Sequence, residues 1–242
     1  MKTLPFILLS FLAVPILGQS FERVLLPIQP SAISGAAGST WTTLVVERNN
    51  SDHAIELQCF APACASLQAG AATIVQAHAA PDPAFIYVSS GELANVQLGL
   101  RTIATASDGK EAMMEIPVAR ESDFTAGVVH LQFVPFDEGF RQTLRIFDLD
   151  GVDGSVVRLR IFTSSITPIV DTELVLHRPS TPDVNGRPGA PAMVMLGNLR
   201  STYPGLTGQG YIDIEPVTPG LRIWAFMTQT NNVTQQFSHF EP

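Results

Sequence analysis

"RQTLRIFDLDGVDGSVVRLRIF", residues 141–162, decides how the chain is read. Side chains alternate with a period of two along an extended backbone, so Leu144 and Ile146 oppose Arg145, and Val157, Leu159 and Ile161 oppose Arg158 and Arg160. Each run reads as a strand with one face on a core and the other in water. The Asp- and Gly-rich stretch between them predicts a β-hairpin connection. Glycine reaches positive φ there and aspartate caps nearby amides.

The same stretch raises calcium as an alternative, with Asp148, Asp150 and Asp153 as the oxygen ligands. An EF-hand loop wants a polar ligand fifth, glycine sixth and glutamate twelfth. Here those positions hold Val152, Asp153 and Leu159, so the EF-hand pattern fails. A looser surface calcium site at these three aspartates remains an expectation to test.

Working outward, strand-like runs recur along the chain, among them "WTTLVVER" (41–48), "AFIYVSS" (84–90), "VVHLQFVPF" (128–136), "GYIDIEPV" (210–217) and "LRIWAFMTQT" (221–230). Gly, Pro, Asn and Asp clusters separate them, and no stretch after the N-terminal segment sustains a helical period. The expected fold class is all-β: two tandem antiparallel β-sandwich domains, Ig-like or jelly-roll-like, following a signal peptide. The boundary falls in "PVARESDFTAG" (117–127), giving 1–20 as the signal, 21–120 as the first sandwich and 121–242 as the second. Arg158 and Arg160 need acidic neighbours, because like charges on adjacent strands repel. Asp213 and Glu215 share one face of "GYIDIEP", so an arginine–carboxylate ladder on an exposed sheet face is expected.

The first twenty residues, "MKTLPFILLSFLAVPILGQS", have an early Lys2, an apolar run and small residues where a peptidase could cut. Pro5 and Pro15 interrupt the run, and a membrane span needs about 20 apolar residues. The mature chain is therefore expected to be secreted, periplasmic or on the cell surface, with no transmembrane segment. Such a compartment oxidises thiols, so Cys59 and Cys64, the two cysteines, are expected to form a disulfide worth about 2 kcal/mol of unfolded-chain entropy.

With 14 basic and 22 acidic residues the formal net charge is −8. That sign argues against nucleic acid as a partner, since such binding rests on neutralising phosphates. No G-x-S-x-G, H-E-x-x-H, Walker or G-x-G-x-x-G motif occurs, and the five histidines are scattered. No catalytic residue is named. Carboxylates are numerous, but spacing along the chain does not give the separation in space that a glycosidase pair requires. Recognition on a sandwich usually belongs to its loops. The two longest, 177–191 and 200–210, place Arg187, Arg200, Tyr203 and the following Tyr211 as candidate ligand-binding residues.

"STWTTLVVERNNSDHAIELQC" (39–59) resembles the opening strands of Ig-like domains in secreted bacterial proteins, where a tryptophan strand runs into an asparagine turn. "EIPVARESDF" (115–124), "FRQTLRIFD" (140–148) and "WAFMTQTNNVTQQF" (224–237) are similar to segments of exported bacterial β proteins. The resemblance implies fold and export and transfers no functional residue. Together these readings point to a non-catalytic exported interaction or adhesion protein whose partner is a protein or a glycan. The alternative is an extracellular hydrolase or carbohydrate-binding protein.

Overall fold

The computed structural model describes residues 20–27, 33–34, 38–59, 66–76, 83–234 and 236–242. The expected signal peptide and Cys64 lie outside the described residues. The described chain contains eighteen strands, one short α-helix and a 3₁₀ turn at Glu121–Asp123, and every strand pairing is antiparallel. It is an all-β sandwich fold, as the alternation implies.

In the N-terminal half, β1 (Phe21–Leu26), β7 (Ala84–Ser89) and β10 (Ala119–Arg120) form one sheet in the order β10-β1-β7. A second sheet, β2-β3-β8-β9, comprises β2 (Ile33–Ser34), β3 (Thr40–Asn49), β8 (Val96–Thr105) and β9 (Glu111–Ile116), and β6 (Ala72–Gln76) also pairs with β3. The short strands β4 (Ile55–Glu56) and β5 (Ser66–Leu67) pair with one another.

The C-terminal half stacks two four-stranded sheets. One, the outer sheet, runs β11 (Val129–Pro135), β16 (Gln209–Pro216), β13 (Val156–Phe162), β14 (Val170–Val175). The other, the inner sheet, runs β15 (Ala192–Gly197), β12 (Phe140–Asp148), β17 (Ile223–Asn231), β18 (Phe237–Phe240). A four-residue helix, α1 (Leu199–Thr202), sits in the loop after β15.

Here the hairpin expectation is corrected. β12 and β13 lie in different sheets, so residues 149–155 cross from one layer to the other. The alternation is compatible with either arrangement, because both strands turn their apolar residues to the same interior: Leu144 and Ile146 from one side, Val157, Leu159 and Ile161 from the other, with Ile212, Ile214, Ala225 and Met227. Burying these faces against each other is the main stabilising contribution of this half.

The expectation for Arg145 is also corrected. Its face is not wet: Arg145 is only 6% exposed, whereas Arg158 is exposed. The reason lies in the first hydrophobic cluster. Leu25, Phe85, Tyr87, Leu100 and Met114 of the N-terminal half pack in one cluster with Phe147, Trp224 and Phe226 of the inner sheet and with Leu149 of the crossing segment. Phe147 stacks on Trp224 at 5.9 Å and on Phe226 at 6.2 Å between ring centroids. β12 and β17 therefore carry core residues on both faces, and the inner sheet serves as a wall for two cores.

Polar contacts reinforce that junction. Arg23 of β1 donates to both carboxylate oxygens of Glu121, at 3.1 and 2.9 Å, to Asp150 at 3.1 Å and to the Leu149 carbonyl at 2.8 Å. The Arg23 hydrogen bonds hold the Glu121 carboxyl below its ordinary range. Arg222 adds a contact to Asp150 at 3.3 Å.

The loop 177–191, read from sequence as a recognition loop, straps across the junction instead. Phe85 N–H donates to Gly189 O at 3.0 Å, and the Tyr87 hydroxyl donates to Pro188 O at 2.6 Å. Asn185 and Gly186, with φ of 52° and 76°, make the tight turn that Asn-Gly favours between Val184 and Arg187.

Candidate functional site

The outer sheet presents its free face to solvent, and the sequence orders that face into two zones. Toward one end stands the expected ladder. In register, Arg158 lies beside Glu173 and Glu215, and Arg160 beside Asp171 and Asp213. Arg158 Nε and Nη2 donate to the two oxygens of Asp171, both at 2.6 Å, and Arg160 Nη2 donates to Glu215 at 2.8 Å. The Arg158 hydrogen bonds hold the Asp171 carboxyl below its usual range. Both guanidinium groups thus have carboxylate partners, which leaves little for an acidic ligand.

Toward the other end the ladder gives way to aromatic rings. Phe162 of β13 and Tyr211 of β16 are register partners whose rings stack at 4.5 Å with a 9° interplanar angle. The next strand, the edge strand β11, carries a β-bulge. Leu131 pairs with Ile212 and Val134 with Gly210, so Gln132 and Phe133 both stand opposite Tyr211. A bulge bends the strand and re-aims side chains. In consequence Gln132 and Phe133, neighbours in sequence, are both exposed, and Phe133 is 70% exposed.

Phe133 adopts φ 57°, the left-handed region that bulky residues avoid at a cost of about 1–3 kcal/mol. A strained backbone that presents an aromatic ring to water is a combination that stability alone disfavours.

Gly210 makes the close approach possible. A Cβ there would lie 1.9 Å from the Phe162 carbonyl oxygen and 3.0 Å from the Phe136 ring. One step along, His130 and Asp213 are register partners, with His130 Nδ1 2.7 Å from Asp213 Oδ1. His130, Gln132, Phe133, Thr163, Gln209, Gly210, Tyr211 and Asp213 line a groove of about 500 Å³, a size usual for small-ligand sites. It combines an aromatic wall with mixed hydrogen-bonding groups, and among the described residues no Lys or Arg lines it.

Of the four ligand-binding candidates named from sequence, only Tyr211 lines this groove. Arg187 lies over the Phe21 ring at 4.3 Å and the Tyr87 ring at 5.2 Å, within the junction. Arg200 reaches Glu138 at 3.3 Å and lines a separate polar depression with Asn198 and Asn232. Tyr203 packs against the second core, and burial raises its phenol pKa. Sequence reasoning missed Phe133, His130 and Asp213 as a group.

The three candidate calcium ligands have separate partners. Asp148 is buried; its Oδ1 accepts from Asp150 N–H at 2.8 Å, and its Oδ2 from Val152 N–H at 2.9 Å and the Ser155 hydroxyl at 3.2 Å. Burial raises the Asp148 carboxyl pKa despite these donors. Asp150 faces Arg23 and Arg222, while Asp153 accepts from Arg178 N–H at 2.9 Å. Among the described residues no group of three or more His, Cys, Asp or Glu is arranged to hold a metal ion. Among them also, no helix is long and apolar enough to cross a membrane.

Fold and site together define an antiparallel β-sandwich protein with an aromatic and polar groove on its free sheet face. The chain matches no family model, no curated protein and no solved structure.

Proposed function

We propose that this is an exported, non-catalytic recognition protein, and that the groove between β11 and β16 is where it binds. The observation that carries the proposal is Phe133, held exposed at a strained φ inside a bulge directly opposite Tyr211. Stability would favour glycine at that φ and a polar residue at that exposure. Retaining phenylalanine makes sense if the ring meets a ligand.

The rest of the proposal concerns export and organisation. Residues 1–20 are a signal removed on secretion, leaving tandem sandwiches of Ig-like or jelly-roll-like kind over 21–120 and 121–242. Cys59 pairs with Cys64, in keeping with the lack of any free cysteine among the described residues. Interaction or adhesion is favoured over hydrolysis because Asp213 is the one carboxylate among the groove-lining residues, whereas glycoside hydrolysis ordinarily uses two.

Protein-observed NMR with a mixed library of peptides, saccharides and small aromatic fragments tests the site. Hits should shift the amides of Gln132, Phe133, Gly210 and Tyr211 first, with no library member hydrolysed. Hits confined to other surfaces, or turnover of a library member, would contradict the proposal. Mass spectrometry of exported protein should give a mature N-terminus near residue 21 and a mass two hydrogens below the dithiol form.

A further inference from the structure

We infer that the ligand of this groove is a neutral saccharide, with a pyranose ring seated between Tyr211 and Phe133; the inference rests on the groove being a binding site. Phe162 covers one face of the Tyr211 ring, and the groove is lined by Tyr211 but not by Phe162. The face of Tyr211 away from Phe162 is therefore the one offered to a ligand. Stacking on Phe162 fixes that ring, so little side-chain freedom is lost on binding. A pyranose has a face of C–H groups that suits an aromatic surface and a rim of hydroxyls that must be hydrogen-bonded.

The polar lining fits that rim. Each sugar hydroxyl both donates and accepts. Gln132 brings a side-chain amide that does the same, Gln209 brings another whose Nε2 also donates to the Phe133 carbonyl at 3.4 Å, and Thr163 brings a hydroxyl. With His130 Nδ1 bound to Asp213 Oδ1, His130 Nε2 and Asp213 Oδ2 have no protein partner among the described residues. Both residues line the groove with Tyr211.

Competing ligand classes fit less well. A phosphate or carboxylate ligand needs cationic donors, but among the described residues no Arg or Lys lines the groove, and Arg160, the register partner of Asp213, is held by Glu215. An extended peptide would add to the β11 edge through a continuous ladder of backbone groups, and the bulge at Gln132 and Phe133 interrupts that edge at the groove. Blunting an edge with a bulge is a device against strand addition.

The test is an NMR titration of the full chain with neutral hexasaccharides of cellulose, chitin, xylan and mannan, with oligogalacturonate as the charged control and a peptide library as the third arm. At least one neutral saccharide should shift the amides of His130, Phe133, Gly210 and Tyr211, and oligogalacturonate should not. Phe133→Gly should weaken that binding roughly tenfold, the scale of one aromatic contact. The same change suits φ 57° and should leave the melting temperature equal or higher. Tyr211→Ala serves as the second variant and should weaken binding to a similar degree.

Groove shifts given only by peptides or by oligogalacturonate would overturn the sugar assignment and leave the site standing. No shift in the groove from any arm would overturn both. Neutral-sugar affinity undiminished in Phe133→Gly would overturn the inference as well.

Discussion

The tetrapeptide Leu-Arg-Ile-Phe occurs twice, at residues 144–147 in β12 and 159–162 in β13, and the two copies have opposite surroundings. In both, leucine and isoleucine enter the second core. In β13, Arg160 turns to solvent and pairs with Glu215, and Phe162 supports Tyr211 beside the groove. In β12, Arg145 is buried, donates to the Thr228 hydroxyl at 2.9 Å and lies over the Phe226 ring at 5.3 Å, and Phe147 enters the first core. No carboxylate pairs with Arg145 among the described residues, and desolvation lowers its guanidinium pKa to about 10. Identical local sequence thus sets the alternation of side chains. What lies beyond the second face decides whether an arginine becomes a ladder member or a buried ion.

The sharpest way to break this comparison is to truncate the two phenylalanines. Phe147→Ala should destabilise by about 3–5 kcal/mol, the usual cost of emptying a buried aromatic site. Phe162→Ala should cost clearly less and weaken ligand binding through Tyr211. A loss below about 1 kcal/mol for Phe147→Ala in urea unfolding would mean that the inner sheet is not a wall shared by two cores.

Next in size is Glu47, a buried carboxyl group with no ion pair among the described residues. Desolvation raises its carboxyl from 4.5 to about 7. Between those pH values the folded chain holds a proton that the unfolded chain has released, so stability is fullest below 4.5 and falls as pH rises through 7. Glu47→Gln should remove that slope and be the more stable form at pH 8 by on the order of 3 kcal/mol, with a much smaller difference at pH 4. Parallel pH profiles for the two proteins would contradict the assignment. Asp148→Ala should cost about 2–3 kcal/mol, because it strands the amides of Asp150 and Val152 in the inter-sheet crossing.

Arg145→Met should leave stability unchanged or raise it by about 1–2 kcal/mol, since an apolar side chain avoids desolvating a charge. The same change at Arg160 should be slightly destabilising. At the bottom of the scale, Arg158→Ala should cost less than about 1 kcal/mol, as exposed ion pairs do, and the loss should shrink in high salt.

These contrasts also mark how far the sequence could be read. Alternation in 157–161 and 212–215 was enough to place Arg158, Arg160, Asp213 and Glu215 on one face, because parity is a local property. The burial of Arg145 is not legible locally, because the ring that covers it, Phe226, lies far along the chain. The 177–191 loop became a strap for the same reason: its partners Tyr87 and Phe85 belong to the other half.

Phe133 escaped notice because strict alternation from Val129 and Leu131 would point it inward, and the bulge reverses it. One signal was present. Phe133 and Val134 are adjacent apolar residues in an otherwise alternating strand, and one of the two had to break step.

Hydroxyl-radical footprinting of the intact chain tests the central claim, that the central strands β12 and β17 of the inner sheet are closed on both faces and the outer sheet has a free face. The account predicts rapid labelling of Phe133 and Tyr211, at 70% and 36% exposure, and protection of Phe147, Trp224 and Phe226, at 0%, 4% and 0%. Labelling of Trp224 and Phe226 as fast as Phe133 would contradict it, because the second face of the inner sheet would then be open to water.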